Sequence, residues 1–337
     1  MTAVATPAAP RFAGEADGWD AMVEAVTRAL PHPLRDDALR APLRDFLARP
    51  GKQIRATLAR AAHRLGGAAQ PFDPKVAALV ELLHAGSLIV DDIEDGAQER
   101  RGRPALHCVW GVPRALNAAN WLYFAALALI DEWDVPPALQ RRAQRRAVRT
   151  LLRCHEGQAL DLAARVVDLE QAAVPTIVHA TTAGKSAALL ELACWSGAVT
   201  SGADAARVRA LARFGRRLGT ALQMYDDLAG LYDDAHAAKC HEDLLGARPT
   251  WAWAWLATRL DGPAFAALQA HGRTVAARES EPGRLASEMR HALGDGARRR
   301  PARLVERSMA ELTRAIGPAA DLATLRSEIA RWERSYA

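Results

Sequence analysis

The sequence predicts an all-α protein built as a single domain of long helices, and three observations carry that prediction. Long stretches rich in Ala, Leu and Arg place apolar residues at three- and four-residue spacing, the period of one helical face. Alternating β-branched residues of the strand type are hard to find. Pro and Gly breaks recur at intervals that leave segments of helix length between them.

Taken in order, residues 1–18 are rich in Ala and Pro without a charged start or an apolar run. They read as a flexible tail, not a signal peptide, ahead of a helical domain over 19–337. Breaks are expected at Pro31 to Pro33, Gly66 to Pro74, Gly102 to Pro104, Val135 to Pro137, Gly202 to Asp204, Gly246 to Pro249, Asp261 to Pro263 and Glu281 to Gly283. No low-complexity linker divides the 337 residues, so one domain is expected, and a 50% hydrophobic composition supplies its core. The longest apolar stretch, Ala115 to Ile130, is interrupted by Asn117 and Asn120 and is short for a membrane span, so it reads as a buried core helix.

The formal charge of +5 suits an anionic ligand. The runs Arg141-Arg142, Arg145-Arg146 and Arg298-Arg299-Arg300 lack interleaved aromatics, so they read as solvated helix faces and no nucleic-acid partner is expected. Four cysteines without a Cys-x-x-Cys pair argue against a zinc site or a disulfide framework. They fit a reducing, cytoplasmic compartment.

Chemistry concentrates in two acidic clusters. In Asp91-Asp92-Ile93-Glu94-Asp95, Asp91 and Asp95 lie one helical turn apart, and their like charges repel unless a cation sits between them. Magnesium suits such a place, because it keeps several waters and is shared between a few carboxylates and substrate phosphates. A plain solvated acidic helix end is the alternative. His84 and Ser87 continue the same face upstream, and Glu99-Arg100-Arg101-Gly102-Arg103-Pro104 follows with guanidinium forks matched to phosphate oxygens. The second cluster, Gln223-Met224-Tyr225-Asp226-Asp227, ends another helical run, with Leu211, Phe214 and Leu218 on the turns before it. A diphosphate held by two such helices through several metals becomes a better leaving group. Lys52, Arg55, Lys185 and Lys239 are candidate basic partners, each of them an ordinary surface residue if considered alone.

These elements together resemble the trans-isoprenyl diphosphate synthase (polyprenyl synthetase) family over the chain from about residue 48 onward. Gly51-Lys52-Gln53-Ile54-Arg55 is similar to its Gly-Lys-Arg-Ile/Leu-Arg element, and His84-x-x-Ser87-Leu88-Ile89-Val90-Asp91-Asp92-x-x-Asp95 to its first aspartate-rich motif. Arg100-Arg101-Gly102-x-Pro104-x-x-His107, Gly157-Gln158, Gly184-Lys185, Gln223-x-x-Asp226-Asp227, Lys239 and Asp243-Leu244 resemble the later elements in order.

The resemblance implies a helical bundle around a deep apolar cavity, a homodimer, and three magnesium ions held by Asp91, Asp95 and Asp226, with Asp92 and Asp227 in support. It implies that Lys52, Arg55, His84 and Arg101 bind isopentenyl diphosphate. Arg100, Lys185, Gln223 and Lys239 would surround the diphosphate of an allylic prenyl partner. The implied reaction is ionisation of the allylic C–O bond, attack by the isopentenyl double bond and loss of a proton, with water excluded by the apolar tunnel.

Several positions depart from the family pattern. Gly230 stands where a third aspartate is usual, and Asp233 and Asp234, two turns beyond Asp226, are not expected to touch metal in its place. Gln53, Ala56, Ser186 and Arg248 replace a usual arginine, proline, threonine and lysine. In Trp251-x-Trp253-x-Trp255 the indoles cannot share one helical face, so a mixture of core and surface packing is expected, with a cation-stabilising ring wall as the alternative. Gly86 and Ser87 are small, so the tunnel is expected to be open there. Geranylgeranyl or longer products follow unless Trp121, Tyr123 or Phe124 closes it deeper down.

Three other readings stay open. A terpene synthase of the same fold would use the metals without the second diphosphate site. A non-catalytic partner subunit would accommodate Gly230. A di-iron carboxylate bundle would use Glu81-x-x-His84 and Glu288-x-x-His291, but leaves the aspartates and arginines unexplained.

Overall fold

A computed structural model describes residues 36–49 and 51–336, which are helical nearly throughout. The tail over 1–18 and the break at Pro31 to Pro33 lie outside the described residues. The described chain falls into two compact units.

The first unit holds the described residues up to Thr57 together with Phe72–Pro136. Its helices are α1 (Ala41–Leu47), the first turn of α2 (Ile54–Leu65), α3 (Pro74–Glu94), and, after a short hairpin, α4 (Leu106–Trp110) and α5 (Val112–Ala128). Asp73 starts α3 by accepting the Lys75 N–H at 2.9 Å, and Pro74 occupies the first turn, where a missing N–H costs nothing. Val76 to Leu83 are all buried, so α3 is a core helix up to the level of the acidic cluster, where the sequence turns polar. Gly86 lets α3 approach α5 closely: a Cβ there would stand 3.0 Å from the Ala119 carbonyl oxygen and 3.2 Å from the Tyr123 ring. The expected buried helix over Ala115 to Ile130 is buried on one side only. Ala115, Ala118, Ala119, Leu122 and Ala126 face inward, while Leu116 and Phe124 are exposed.

The hairpin pairs β1 (Glu99–Arg100) with β2 (Arg103–Pro104). Its two-residue turn, Arg101-Gly102, has both φ angles positive, 58° and 73°. That geometry matches the twist of a tight hairpin and explains Gly102, around which a Cβ would meet nothing. Arg101 accepts the left-handed conformation at a cost of about 1 kcal/mol.

The second unit comprises Leu58–Pro71 and Pro137–Ala337. Its long helices are α6 (Pro137–Ala163), α7 (Val174–Thr181), α8 (Ala187–Thr200) and α9 (Ala205–Tyr232). They are followed by α10 (Ala237–Leu245), α11 (Trp251–Arg259), α12 (Gly262–Ala276), α13 (Pro282–Leu293), α14 (Arg300–Ile316) and α15 (Ala320–Arg334). Helix α8 is apolar all round and buried along most of its length, the pattern of a central helix. Gly219 brings α9 onto the start of α8, since a Cβ there would lie 2.7 Å from the Ala187 Cα. Asp204 caps α9 by accepting the N–H groups of Ala206 and Arg207, both at 2.8 Å.

The expected breaks at Gly66 to Pro74 and from Val135 to Pro137 onward coincide with helix ends, the one at Gly102 to Pro104 falls in the hairpin, and further breaks at Gly111, Gly294 and Gly317 use positive φ. The tryptophan expectation needs correction. Trp251, Trp253 and Trp255 are all buried, because partners cover every side of short α11. Trp253 meets Phe265 edge-on, and Trp251 meets His179 the same way. Among the described residues no helix is long and apolar enough to cross a membrane.

Candidate active site

In the first unit, the last turns of α3 and the hairpin bring Asp91, Asp92, Arg100, Arg101 and His84 together. Asp92 is fully buried, and a carboxylate there requires a countercharge. Arg100 supplies it: Nε donates to Asp92 Oδ1 at 2.7 Å and Nη2 donates to the same oxygen. The same guanidinium lies 3.7 Å from Asp91 Oδ2. Burial still pushes the Asp92 carboxyl above its usual value, against the pull of Arg100. Asp92 Oδ2 is buried without a hydrogen-bond partner among the described residues. Arg100, assigned from the resemblance to the allylic diphosphate, is thus engaged by the acidic cluster itself. Asp95 ends the helix, its N–H bonded to the Asp91 carbonyl at 2.9 Å.

Beside this cluster, His84 is held well below the usual imidazole pKa, first by burial and then by Arg55, Arg101 and Arg100. A neutral ring among three guanidinium groups marks a positive pocket suited to an anion. Arg101 donates to the Arg49 carbonyl at 3.3 Å and lies over Phe46. Its guanidinium also lies beside Gly51, where a Cβ would stand 3.0 Å from it. Lys52 is exposed on the segment entering α2. Ser87 donates to the His84 carbonyl at 2.8 Å. Sequence reasoning missed Asp45, which accepts Trp110 Nε1–H at 2.9 Å and pairs with Arg49 and Arg103 at 3.3 and 3.2 Å, tying α1 to the hairpin. Its only sequence signal is the four-residue spacing to Arg49.

In the second unit, Asp226 is exposed near the end of α9, whereas Asp227 is turned inward. Asp227 accepts Gln223 Nε2–H and the backbone N–H of Trp251, both at 2.7 Å, and so caps α11. Burial pushes its carboxyl up to about 7, although both N–H donors oppose the shift. Ser186 donates to Gln223 Oε1, and Trp251 Nε1 donates to Thr182 Oγ1 at 3.0 Å. Thr182 and Ser186 bound a π-helical turn that inserts Lys185 between α7 and α8, an irregularity frequent at functional sites. Lys185 pairs with Asp161 at 2.9 Å and Lys239 with Asp243 at 3.1 Å. Arg248 lies 3.7 Å from Asp161 and 3.9 Å from Asp243, joining the two pairs. Asp161, four residues beyond Gly157, is a second residue that sequence reasoning missed.

Gly230 has a packing reason. A Cβ there would stand 2.5 Å from both the Cys240 Cβ and the His236 carbonyl oxygen, so α10 occupies the space a third aspartate would need. Asp233 is engaged by His236 Nδ1 at 2.9 Å and Ala235 N–H at 3.1 Å. The Asp234 side chain lies outside the described residues. The residues of the di-iron reading are likewise engaged: Glu81 accepts the Ala56 N–H at 2.9 Å, and Glu288 pairs with His271 at 2.8 Å.

Among the described residues, no three His, Cys, Asp or Glu side chains form a closed metal cage. Two small sets of hard carboxylate oxygens fit magnesium, which takes one or two carboxylates and fills its remaining positions with water and phosphate.

A family model described as polyprenyl synthetase matches residues 36–271. The short chain isoprenyl diphosphate synthase of Methanothermobacter thermautotrophicus is 34% identical over 186 residues, 55% of each chain. The geranylgeranyl diphosphate synthase of Mycobacterium tuberculosis is 35% identical over 184 residues, 55% of this chain and 51% of that protein. The chain thus spans about half the length of these curated relatives. Among solved structures, a polyprenyl synthase from Caulobacter crescentus, complexed with calcium and isoprenyl diphosphate, is 27% identical with a TM-score of 0.76, covering 97% of this chain and 99% of its own. A decaprenyl diphosphate synthase from Rhodobacter capsulatus shares the fold, with a TM-score of 0.80 at 21% identity over 95% of this chain and 96% of its own. A family match over most of its length and an all-α fold shared nearly end to end establish that the chain belongs to the polyprenyl synthetase family.

Proposed function

We propose that the protein is a magnesium-dependent prenyltransferase that joins isopentenyl diphosphate head-to-tail to an allylic prenyl diphosphate. The observation that carries this reading is neutral His84 among Arg55, Arg100 and Arg101, beside Asp91 and Asp92. A terpene synthase needs a metal-bound diphosphate, but it has no use for an additional arginine pocket beside the acidic cluster.

In this reading Lys52, Arg55, His84 and Arg101 bind isopentenyl diphosphate, with the neutral imidazole donating one N–H. Lys185, Gln223 and Lys239 orient the allylic diphosphate, and Arg100 serves it while gripping Asp92. Magnesium bound to Asp91, Asp95 and Asp226 would neutralise the leaving diphosphate and so ease rupture of the allylic C–O bond. The isopentenyl double bond then forms the new C–C bond, and the resulting cation loses a proton to the released diphosphate.

The apolar face of α5 supports a homodimer. Val112, Leu116 and Phe124 recur at multiples of four residues, and Phe124 is 72% exposed in the single chain. This corrects its expected role, since an outward Phe124 closes nothing within its own chain. Tyr123 is the deeper residue, packed against Gly86, and in this reading it limits product length below the acidic cluster. Among the described residues Cys108, Cys154, Cys194 and Cys240 form no disulfide, which suits a cytoplasmic setting.

The test is incubation with magnesium and dimethylallyl, geranyl, farnesyl or geranylgeranyl diphosphate, each with and without isopentenyl diphosphate, followed by mass analysis. Longer diphosphates appearing only with isopentenyl diphosphate are expected. Hydrocarbons or alcohols formed without it would make the protein a terpene synthase. No product under any combination would favour the non-catalytic subunit.

A further inference from the structure

Tyr225 immediately precedes Asp226, and both of its polar and apolar surfaces are taken up by the end of the chain. Its hydroxyl donates to Glu333 Oε1 at 2.8 Å, on the last turn of α15. Its ring stacks on Tyr336, with centroids 5.7 Å apart and planes 14° from parallel. These contacts join positions more than a hundred residues apart. The terminal helix is itself anchored: Leu322, Leu325, Ile329 and Trp332 are buried, and buried Glu328 is paired with Arg331.

Consecutive residues on an α-helix point about 100° apart, so holding the residues on both sides of a position steadies the Cα–Cβ direction of the one between. Asp227 is held on one side by Gln223 and the Trp251 N–H. Tyr225 is held on the other by Glu333 and Tyr336. Asp226 lies between two anchored neighbours and is the exposed member of the three. The Tyr225–Glu333 bond is of the charge-assisted O–H to carboxylate type, stronger than one between neutral groups. Tyr225 is itself only part-buried.

We infer that Glu333 and Tyr336 are positioning residues that, through Tyr225, aim the Asp226 carboxylate for metal binding. The last turn of α15 is thereby part of the support of the second acidic cluster. This inference rests on the proposed role of Asp226 as a magnesium ligand, and the experiment separates the two.

The measurement is binding of manganese, with inorganic pyrophosphate as the co-ligand, to the full chain, followed by the loss of the free-ion resonance and requiring no turnover. Asp226→Ala, Glu333→Ala, Glu333→Gln and Tyr225→Phe are compared with the unaltered protein, each with its thermal midpoint. Glu333→Ala and Tyr225→Phe are expected to weaken the pyrophosphate-dependent manganese sites about tenfold with a small change in midpoint. Glu333→Gln, whose amide oxygen still accepts the phenol proton, is expected to retain most of the affinity. If Asp226→Ala weakens manganese binding while Glu333→Ala and Tyr225→Phe do not, the brace is refuted and the metal role of Asp226 stands. If Asp226→Ala binds like the unaltered protein, both fail. Loss of affinity in Glu333→Ala only in proportion to a large fall in midpoint would reduce Glu333 to a structural residue and overturn the inference.

Discussion

Gly230 and Cys240 approach so closely that a Cβ on the glycine would stand 2.5 Å from that of the cysteine, below any contact real side chains make. The missing third aspartate of the second cluster therefore belongs to the packing of α10 on α9. Gly230→Asp, designed to complete the motif, is expected to destabilise the protein by about 1–3 kcal/mol through overpacking. It should raise neither turnover nor magnesium affinity. Chemical denaturation and steady-state assays check this, and a stable, faster variant would refute the packing account.

Asp91 stands in a different position, part-exposed and 3.7 Å from Arg100, which keeps Asp92 as its principal partner. Asp91→Ala removes one of several crowded anions without uncovering a buried charge. Folding should be retained, with a thermal midpoint close to the unaltered value. Turnover should fall on the order of 10²–10³, the loss typical when one electrostatic stabiliser of a transition state is removed. Full activity would contradict the role proposed for Asp91.

His84 gives stability a pH dependence whose direction follows from its surroundings. Burial and the guanidinium groups of Arg55, Arg101 and Arg100 disfavour the imidazolium, so the folded value lies below the unfolded value of about 6.5. Above that value both states carry neutral imidazole, and the contribution of His84 is fully present. As the pH falls below it, the unfolded chain takes up a proton that the folded chain refuses, and stability is lost toward the folded pKa. His84→Gln should therefore lose less of its melting temperature than the unaltered protein between pH 7.5 and 5.5, without ligand. Equal losses in both proteins would rule out this titration.

Tyr123 fills the space beside Gly86 that the sequence suggested was open. Removing its ring by Tyr123→Ala should lengthen the product by one or more isoprene units without reducing consumption of the allylic primer. Mass analysis of the released diphosphates decides, and an unchanged product distribution would place the limit elsewhere.

The contrast between Gly86 and the acidic clusters shows what a single sequence carries. Helix period, breaks and the spacing of Asp91, Asp95, Arg100 and Arg101 are local properties, so they were legible. The turn geometry of Arg101-Gly102 is local as well, since left-handed backbone favours glycine. What a small residue makes room for is not local. Gly86 serves Tyr123 and Gly230 serves α10, and each partner is chosen by tertiary packing. The buried tryptophans of α11 were misread for the same reason, because helical periodicity counts faces but not the neighbours that cover them. Asp45, Asp161 and Glu333 escaped notice because an ordinary acidic residue acquires a role only through distant partners.

The exposed face of α5 supplies the last prediction. Phe124 and Leu116 lie two turns apart on one side of the helix, with Val112 one turn further, and large apolar side chains left in water oppose solubility. Burying a phenylalanine or leucine contributes roughly 1.5–3 kcal/mol each, and a two-fold interface uses every such residue twice. A charge placed in that face must be desolvated on association, and its symmetric copy repels it. Leu116→Glu combined with Phe124→Glu should shift the protein from dimer to monomer in sedimentation or light scattering. Folding of the single chain should be little affected, because both side chains are exposed there. If the unaltered protein sediments as a monomer, or the double variant remains a dimer, the α5 face is not the subunit contact.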